Sequence, residues 1–363
     1  MSTTELDRHR YPWLFSPAID LSVFLGSAIV SLMLLVIGSQ TGVLHADTPD
    51  WAWVPAILLV DVAHVYSTAF RVYFTPQELS RRWRLYIGVP VLAFLVGVMI
   101  HRTWGPTVFW RLLAYLAVFH FIRQQYGWVA LYRAKGKEHD RWTRRIDTTA
   151  IYLATIYPLV YWHAHQPRNY AWFLPDNFLT VPIIVERTLR PIYWFSLVVY
   201  AGRSIWCWYT DKPNPGKDLV VLTTAVCWYV GIVTFNSDYA FTVTNVIIHG
   251  VPYLALVYWY WQTNRRTSQQ RTGLQQLLIF LATIWLFAYI EELVWDRSVW
   301  QQRDWLFGPA WPMEHWHDYI VPLLAVPQIT HYVLDGFIWK RRRNPEFSSA
   351  LQNLPQKKEV PSD

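Results

Sequence analysis

Charged residues are scarce in this chain, and their scarcity excludes an ordinary soluble protein. Asp, Glu, Lys and Arg make up 16% of the 363 residues, whereas soluble domains contain about 25%. Hydrophobic residues account for 53%, which also excludes disorder for most of the chain. We therefore expect an integral-membrane protein.

Cysteine and the common catalytic motifs are also scarce or missing. The chain has 2 cysteines, Cys207 and Cys227, and both lie in apolar runs. They predict neither a disulfide scaffold nor a thiolate metal site. The sequence contains no glycine-rich phosphate loop, Walker motif, nucleophile elbow or internal repeat. Any chemistry must therefore come from side chains among the helices.

Apolar runs long enough to cross a bilayer recur along the chain. A transmembrane helix needs about 20 mostly apolar residues. Ten segments qualify: 18–40, 51–74, 83–101, 105–132, 147–163, 190–210, 218–235, 239–262, 273–296 and 317–340. The sequence predicts an all-α, polytopic membrane bundle of about ten helices. It forms a single domain over residues 18–340, between an N-terminal segment, 1–17, and a polar tail, 341–363.

The basic residues predict the orientation of this bundle. Short cytoplasmic loops of membrane proteins contain an excess of Lys and Arg. With the N-terminus inside, the inner segments hold 21 of these residues and the outer segments hold 6. Both termini are therefore predicted to be cytoplasmic, in a multi-pass protein of a bacterial inner (plasma) membrane. This topology accounts for the net charge of +7, so we expect no nucleic-acid partner.

Four of the predicted spans carry a histidine with polar neighbours on the same helix face. Ionisable side chains are costly in hydrocarbon, so they usually face the bundle interior and mark a site. Residues three or four positions apart share a helix face. The groups are Asp61, His64 and Thr68; His120, Arg123 and Gln124; Asn245, His249 and Tyr253; and Gln328, His331 and Asp335.

The four histidines are predicted to lie at one depth. His64, His120, His249 and His331 each fall within about three residues of the midpoint of their span, which is roughly 5 Å along a helix. A single such histidine more often joins two helices by a hydrogen bond. Four in one layer, with Asp61 nearby, instead predict metal ligands, because imidazole suits iron, zinc and copper. Asp61 is interpreted as an additional or bridging ligand.

Three polar residues near this layer are interpreted as partners of the ligands. Tyr253, Gln124 and Asp335 could orient the imidazole rings by hydrogen bonds. An alternative interpretation of Asp335 is an ion pair with Arg123 or Arg71 near the inner surface.

Two further pairs of ionisable residues each have two possible interpretations. Glu291 and Glu292 are adjacent, so their side chains point about 100° apart on a helix. They are either a bridging or proton-relay group or an interfacial pair held by nearby arginines. His315 and His317 lie at the outer start of the tenth span and are interpreted as interfacial, with a second metal or a role in substrate access as the alternative.

Single histidines on separate helices resemble the arrangement in membrane carotenoid-cleaving dioxygenases. More loosely, the pattern resembles the histidine-rich membrane oxygenases and desaturases that use non-haem iron on lipid or isoprenoid substrates. The HxxxH and HxxHH boxes of those desaturases are absent here. The resemblance implies iron and oxygenase chemistry, and no family residue is carried over.

The sequence therefore predicts a membrane metalloenzyme, an iron-dependent oxidoreductase with one or two non-haem iron ions. A site at the midplane is reached from lipid, so the expected substrate is apolar, such as a fatty acyl chain, a carotenoid or a quinone. Membrane lipid and an electron-donor protein are the expected partners.

Three alternatives remain open from the sequence. Two of the four histidines could be axial ligands of haem b. Asp61, Arg123, Glu291, His331 and Asp335 could instead be relay groups of a proton-coupled transporter. The histidines could also serve only helix packing.

Overall fold

The fold is entirely helical. A computed structural model of the chain describes residues 11–352 except 176 and 265–272, and these described residues form helices and no strand. The N-terminal residues before 11 and the end of the polar tail lie outside the described residues, as do residues 265–272, which include Arg265, Arg266 and Arg271.

Ten long helices follow one another along the described part of the chain. They are α1 (Pro17–Thr41), α2 (Asp50–Arg71), α3 (Trp83–Trp104), α4 (Pro106–Lys135), α5 (Arg141–Ala164), α6 (Ile183–Tyr209), α7 (Pro215–Thr234), α8 (Asp238–Asn264), α9 (Gly273–Trp300) and α10 (Glu314–Ile338). Each apolar segment named above falls on one of them.

Seven of these helices are long and apolar enough to cross a membrane: α1, α2, α3, α7, α8, α9 and α10. The other three, α4, α5 and α6, are not among them; α5, for example, begins with the polar sequence RWTRRID. The chain is thus consistent with an integral-membrane protein, and the count of ten spans stays a prediction.

Local sequence explains where several helices begin. The Ser16 hydroxyl accepts a hydrogen bond from the Ile19 amide, 3.2 Å away, at the start of α1, as expected of an N-cap residue. The Asp140 carboxylate accepts one from the Thr143 amide, 2.7 Å away, at the start of α5. Between α3 and α4, Gly105 has a φ of +84°, a conformation that glycine adopts without strain, and this allows the sharp reversal between the two helices.

Contacts between distant segments define two ends of the bundle. At one end, which we call the basic end, the Tyr132 hydroxyl donates to Asp20 at 3.0 Å and Arg71 donates to the Ile338 carbonyl at 3.3 Å. At the other end, which we call the outer end, the Thr48 hydroxyl donates to Asp238 at 2.6 Å. The basic end contains residues 11–20, 71–86, 132–147 and 338–352, and the outer end contains residues 43–53, 101–111, 165–175, 235–239 and 295–318.

A buried network of charges stabilises the basic end. Asp147 is fully buried and pairs with Arg133, Arg203 and Lys217. Glu138 contacts the same three cations, and the Lys217 ammonium lies 2.5 Å from its carboxylate. Burial by itself raises the pKa of Glu138, but Lys217, Asn214 and Arg133 outweigh this effect and hold the pKa below its ordinary value.

The centre of the bundle is formed by α2, α4, α8 and α10. In its most apolar stretch α8 is 83% buried, far more than α3 with 11%. A Cβ atom at Gly250 would lie 2.5 Å from Cγ1 of Val60, so glycine permits the close approach of α8 to α2. These four helices are the ones that carry the predicted metal ligands.

Candidate metal centre

The imidazole rings of His64, His120, His249 and His331 converge in the centre of the bundle. The Nε2 atoms of His64 and His249 lie 3.2 Å apart, and those of His331 and His120 lie 3.1 Å apart. The ring centroid of His64 lies within 6.4 Å of the ring centroids of the other three histidines. All four side chains are at most 4% exposed. The structure thus brings together the four histidines that the sequence placed in one layer.

The separation within each pair matches that of two ligands of one ion. Imidazole nitrogen binds a transition metal at about 2.0–2.1 Å. Two such nitrogens at angles of 90° to 109° are about 2.9–3.4 Å apart by the same geometry. Potential ligand atoms of His64, His120 and His331 all lie within 4.8 Å of one another, and so do those of Asp61, His64 and His249. The two groups share His64.

Asp335 lies behind two of the rings. One carboxylate oxygen is 3.8 Å from Nδ1 of His120, and the other is 3.8 Å from Nδ1 of His331. The Tyr253 hydroxyl donates to Asp335 at 2.6 Å and also lies 3.1 Å from the Thr68 hydroxyl. Thr68 in turn lies 2.8 Å from Nδ1 of His331. Asp335, Tyr253 and Thr68 therefore form a hydrogen-bonded layer outside the histidines, which can fix ring orientation.

The arginines considered as alternative partners of Asp335 are engaged elsewhere. Arg71 lies 3.4 Å from Glu78 and its guanidinium stacks over the Tyr260 ring at 4.3 Å. Arg123 donates to the Tyr152 hydroxyl. Within the described residues, Asp335 faces imidazole rings and no guanidinium group forms an ion pair with it.

Asp61 and Gln124 approach the site differently. The Asp61 carboxylate lies 3.6 Å from Nδ1 of His64, so it could either ligate an ion or orient this ring. Gln124 donates to the His249 carbonyl at 2.7 Å and holds the backbone rather than the ring. Among the described residues, Oδ1 of Asp61 and the Nδ1 atoms of His64 and His249 are buried without a hydrogen-bond partner.

Two aromatic rings that were not predicted from the sequence also contact the histidines. The Phe121 ring stacks on His249 with centroids 3.5 Å apart, and Tyr332 stacks on His120 at 4.7 Å. Each follows a histidine directly in the sequence, Phe121 after His120 and Tyr332 after His331. Because neighbouring residues of a helix point about 100° apart, this adjacency alone gives no reason to place them against a ring of another helix.

A cavity of about 750 Å³ extends from the histidines to the outer end of the bundle. Asp61, His64, Phe121, Gln328 and Tyr332 line its inner part, and His64 is the only one of the four histidines in its wall. Its volume is within the range of about 300–1,000 Å³ typical of small-molecule sites. The cluster is therefore accessible on the side of His64 and Asp61.

The remaining predicted residues lie apart from the four rings. Glu291 accepts a hydrogen bond from the Trp295 indole at 3.2 Å, and Glu292 lines the cavity. His317 lies 2.7 Å from the Ser298 carbonyl at the outer end, and His315 is exposed there. These four residues do not belong to either group of potential metal ligands.

Comparisons with known proteins give no further guidance to function. No protein-family model, curated protein or solved structure matches the chain. The chemistry must be inferred from the site itself. Two groups of three potential ligands that share His64, with orienting groups behind the rings and a cavity on one side, can hold a transition-metal ion next to an apolar molecule.

Proposed function

We propose that the protein is an integral-membrane, iron-dependent oxidoreductase that acts on an apolar substrate. The observation that carries the proposal is the approach of four buried histidines from four helices, whose Nε2 atoms form two close pairs. The four histidines supply two groups of potential metal ligands, one formed by His64, His120 and His331 and the other by Asp61, His64 and His249, and an ion in either group would bind three of these side chains.

The surface of the bundle supports a position in the membrane. Large apolar side chains point outward from peripheral helices, among them Phe195 (70% exposed) and Val198 (67%) on α6 and Leu92 (60%) on α3. Exposed apolar surface of this extent is unfavourable in water. The excess of Lys and Arg at the basic end supports a cytoplasmic position for this end, in line with the predicted cytoplasmic termini.

The ligand set is compatible with iron, and part of it faces the cavity. Imidazole ligands suit iron, zinc and copper, and His64, Asp61 and the cavity lie on one side of the cluster. Bound iron would supply redox chemistry that the side chains of the chain cannot provide. The residues of the chain would hold the ion, keep water away from it and place an apolar substrate in the aromatic cavity.

Haem b is less compatible with this geometry. The two axial histidines of a haem lie on opposite faces of its planar ring. Here His64 and His249 approach directly at Nε2, and so do His120 and His331, so no space for a porphyrin separates either pair.

Metal analysis of the purified protein tests the proposal. We expect stoichiometric iron in protein prepared in mild detergent, and loss of most of it in His64→Ala and His331→Ala. His45→Ala is the matched control, because His45 is exposed and lies at the outer end. A protein without stoichiometric metal, or a His64→Ala variant that retains it fully, would contradict the proposal. An absorption spectrum with a Soret band would favour haem instead.

A further inference from the structure

The cavity connects the outer end of the bundle with the histidines. Asp47 and Gln302, which are exposed, line it at the outer end, and Asp61 and His64 line its inner part. Helix α2 follows the cavity from Trp53 to His64, which corresponds to about 16 Å along the helix axis. The Asp61 side chain is 30% exposed, and that of His64 is 2% exposed. A solute that enters from the outer end therefore meets Asp61 before it meets His64.

The walls of this cavity carry more negative than positive charge. Four carboxylates line it: Asp47 and Asp238 in its outer part, and Asp61 and Glu292 deeper in the bundle. Among the described residues of the wall, Arg303 is the one Lys or Arg side chain, and its Nε atom already lies 3.2 Å from the Asp50 carboxylate. A cleft with charge of one sign and walls of low dielectric concentrates the opposite ion and speeds its binding about 10–1,000-fold. The cavity therefore attracts cations.

Side-chain oxygens in the inner part of the cavity lack partners. Glu292 is 9% exposed, and within the described part of the chain its carboxylate makes no hydrogen bond or ion pair. Its charge interacts with that of Asp61, so the two carboxylates lie near each other. Oδ1 of Asp61 and Oε1 of Gln328 are also buried without a hydrogen-bond partner among the described residues. Buried polar atoms are normally satisfied, and a cation would satisfy these oxygens.

The order of these groups along the cavity suits a transition-metal ion. Imidazole nitrogen suits iron better than carboxylate or amide oxygen does. An ion that comes from the outer end meets the oxygens of Glu292, Asp61 and Gln328 first. It then meets His64, which lines the cavity and belongs to both groups of potential ligands. This order lets oxygens replace water around the ion before the imidazoles bind it.

We propose that the cavity is the path by which the metal ion enters the centre, from the outer end past Glu292 and Asp61 to His64. This proposal rests on the proposed function, because it describes how the metal centre of that enzyme is filled. Glu292 acts as a transient ligand of the entering ion and, unlike Asp61 and His64, belongs to neither group of potential final ligands. Its loss should therefore change the rate of metal uptake and not the amount of metal bound at the end.

Uptake of Co(II) by protein that has been stripped of metal with a chelator tests the role of Glu292. We expect Glu292→Gln to take up Co(II) about tenfold more slowly than the wild type, because it loses electrostatic attraction. Its final occupancy, its d–d absorption spectrum and its Tm should equal those of the wild type. Glu314→Gln is the matched control, because it removes the same charge at an exposed position of the outer end that does not line the cavity.

Two results for Glu292→Gln would overturn the proposal. One is an uptake rate equal to that of the wild type. The other is a lower final occupancy, because Glu292 would then hold the bound ion or the fold instead of serving the path.

A block at the outer end tests the direction of entry. In a background with Cys207→Ala and Cys227→Ala, which removes both cysteines, a bulky maleimide is attached at Gln302→Cys on the cavity wall or at Ser349→Cys, exposed at the basic end. We expect the label at Gln302→Cys to slow Co(II) uptake several-fold and the label at Ser349→Cys to leave it unchanged. Uptake that is slowed only by the label at Ser349→Cys, or by neither label, would overturn entry from the outer end.

The two proposals fail in different ways. Wild-type protein that takes up Co(II) with the expected dependence on Glu292, but contains zinc and no iron as isolated, would overturn the iron-dependent oxidoreductase and leave the path of entry intact. Protein that contains stoichiometric iron but takes up Co(II) at the same rate in every variant would overturn the path alone. Protein that binds no Co(II) at all would overturn both.

Discussion

The Nε2 atoms of His64 and His249 lie 3.2 Å apart, although 185 positions separate the two residues in the chain. Two neutral imidazoles at this distance can share one hydrogen bond if one of them donates. Such a bond explains one pair of rings. The second pair, His120 and His331, approaches at 3.1 Å, and His64 shares one potential metal site with this pair and another with His249 and Asp61.

Bound metal is therefore expected to stabilise the fold. A ligand that binds only the folded state at 100 times its Kd adds about 2.7 kcal/mol to the free energy of unfolding. We expect a strong chelator to lower the Tm of the wild-type protein and readdition of Fe(II) to restore it. His64→Ala should be insensitive to both treatments, while His45→Ala should respond like the wild type. A wild-type Tm that is unchanged by chelation and by added iron would contradict this prediction.

Asp335 is expected to control metal affinity through His120 and His331. Its carboxylate lies 3.8 Å from Nδ1 of each ring and is linked to His331 by hydrogen bonds through Tyr253 and Thr68. Loss of such an orienting group typically costs about 10–100-fold in metal affinity. We therefore expect Asp335→Asn to weaken iron binding by this factor, as measured by competition with a chelator. Asp318→Asn is the matched control, because Asp318 contacts His101 at 2.8 Å at the outer end. Equal affinities of the two variants would show that Asp335 does not act on the ligands.

The depth of the histidines could be predicted from the sequence, but their surroundings could not. The rise of a helix is constant, so the position of His64 or His331 within its apolar run gives its depth in the bundle. Which helices are neighbours depends on packing between segments far apart in the chain. For this reason Phe121 and Tyr332, which stack on histidines of the cluster, carried no recognisable signal.

The same limit applies to the two adjacent glutamates. Their apolar sequence context indicates a buried or interfacial position. Only the packed structure shows that the two side chains have different surroundings. Glu291 accepts a hydrogen bond from Trp295, and Glu292 lines the cavity. A helix period predicts that they point apart, and the rotation of α9 in the bundle decides which of them can meet a ligand.

The contact between α8 and α2 beside His249 is expected to require glycine. A Cβ atom at Gly250 would lie 2.5 Å from Val60 Cγ1 and 3.2 Å from the Val60 carbonyl oxygen. Overpacking of this kind costs about 1–3 kcal/mol, so Gly250→Ala should lower the Tm and weaken metal binding together. Gly127→Ala on α4 is the control, because a Cβ atom there meets nothing within 4 Å. A Gly250→Ala protein with wild-type Tm would show that the two helices can separate without cost.

The charge network at the basic end predicts a dependence of stability on pH. Lys217, Asn214 and Arg133 offset the effect of burial and hold the pKa of Glu138 below its ordinary value of 4.5. A carboxyl group with a lowered pKa stabilises the folded state above its unfolded pKa, and this contribution is lost as the pH falls through the folded pKa.

The Tm difference between wild type and Glu138→Gln should therefore be largest near neutral pH and should shrink below about pH 4. The variant is expected to be less stable at neutral pH, because it leaves Lys217, Arg133 and Arg203 with Asp147 as their remaining carboxylate among the described residues. Glu314→Gln, at an exposed position of the outer end, should follow the wild-type curve at every pH. Thermal unfolding of the three proteins across this range measures the difference. A Tm difference for Glu138→Gln that stays constant with pH would mean that its charge contributes nothing and that only the shape of the side chain matters.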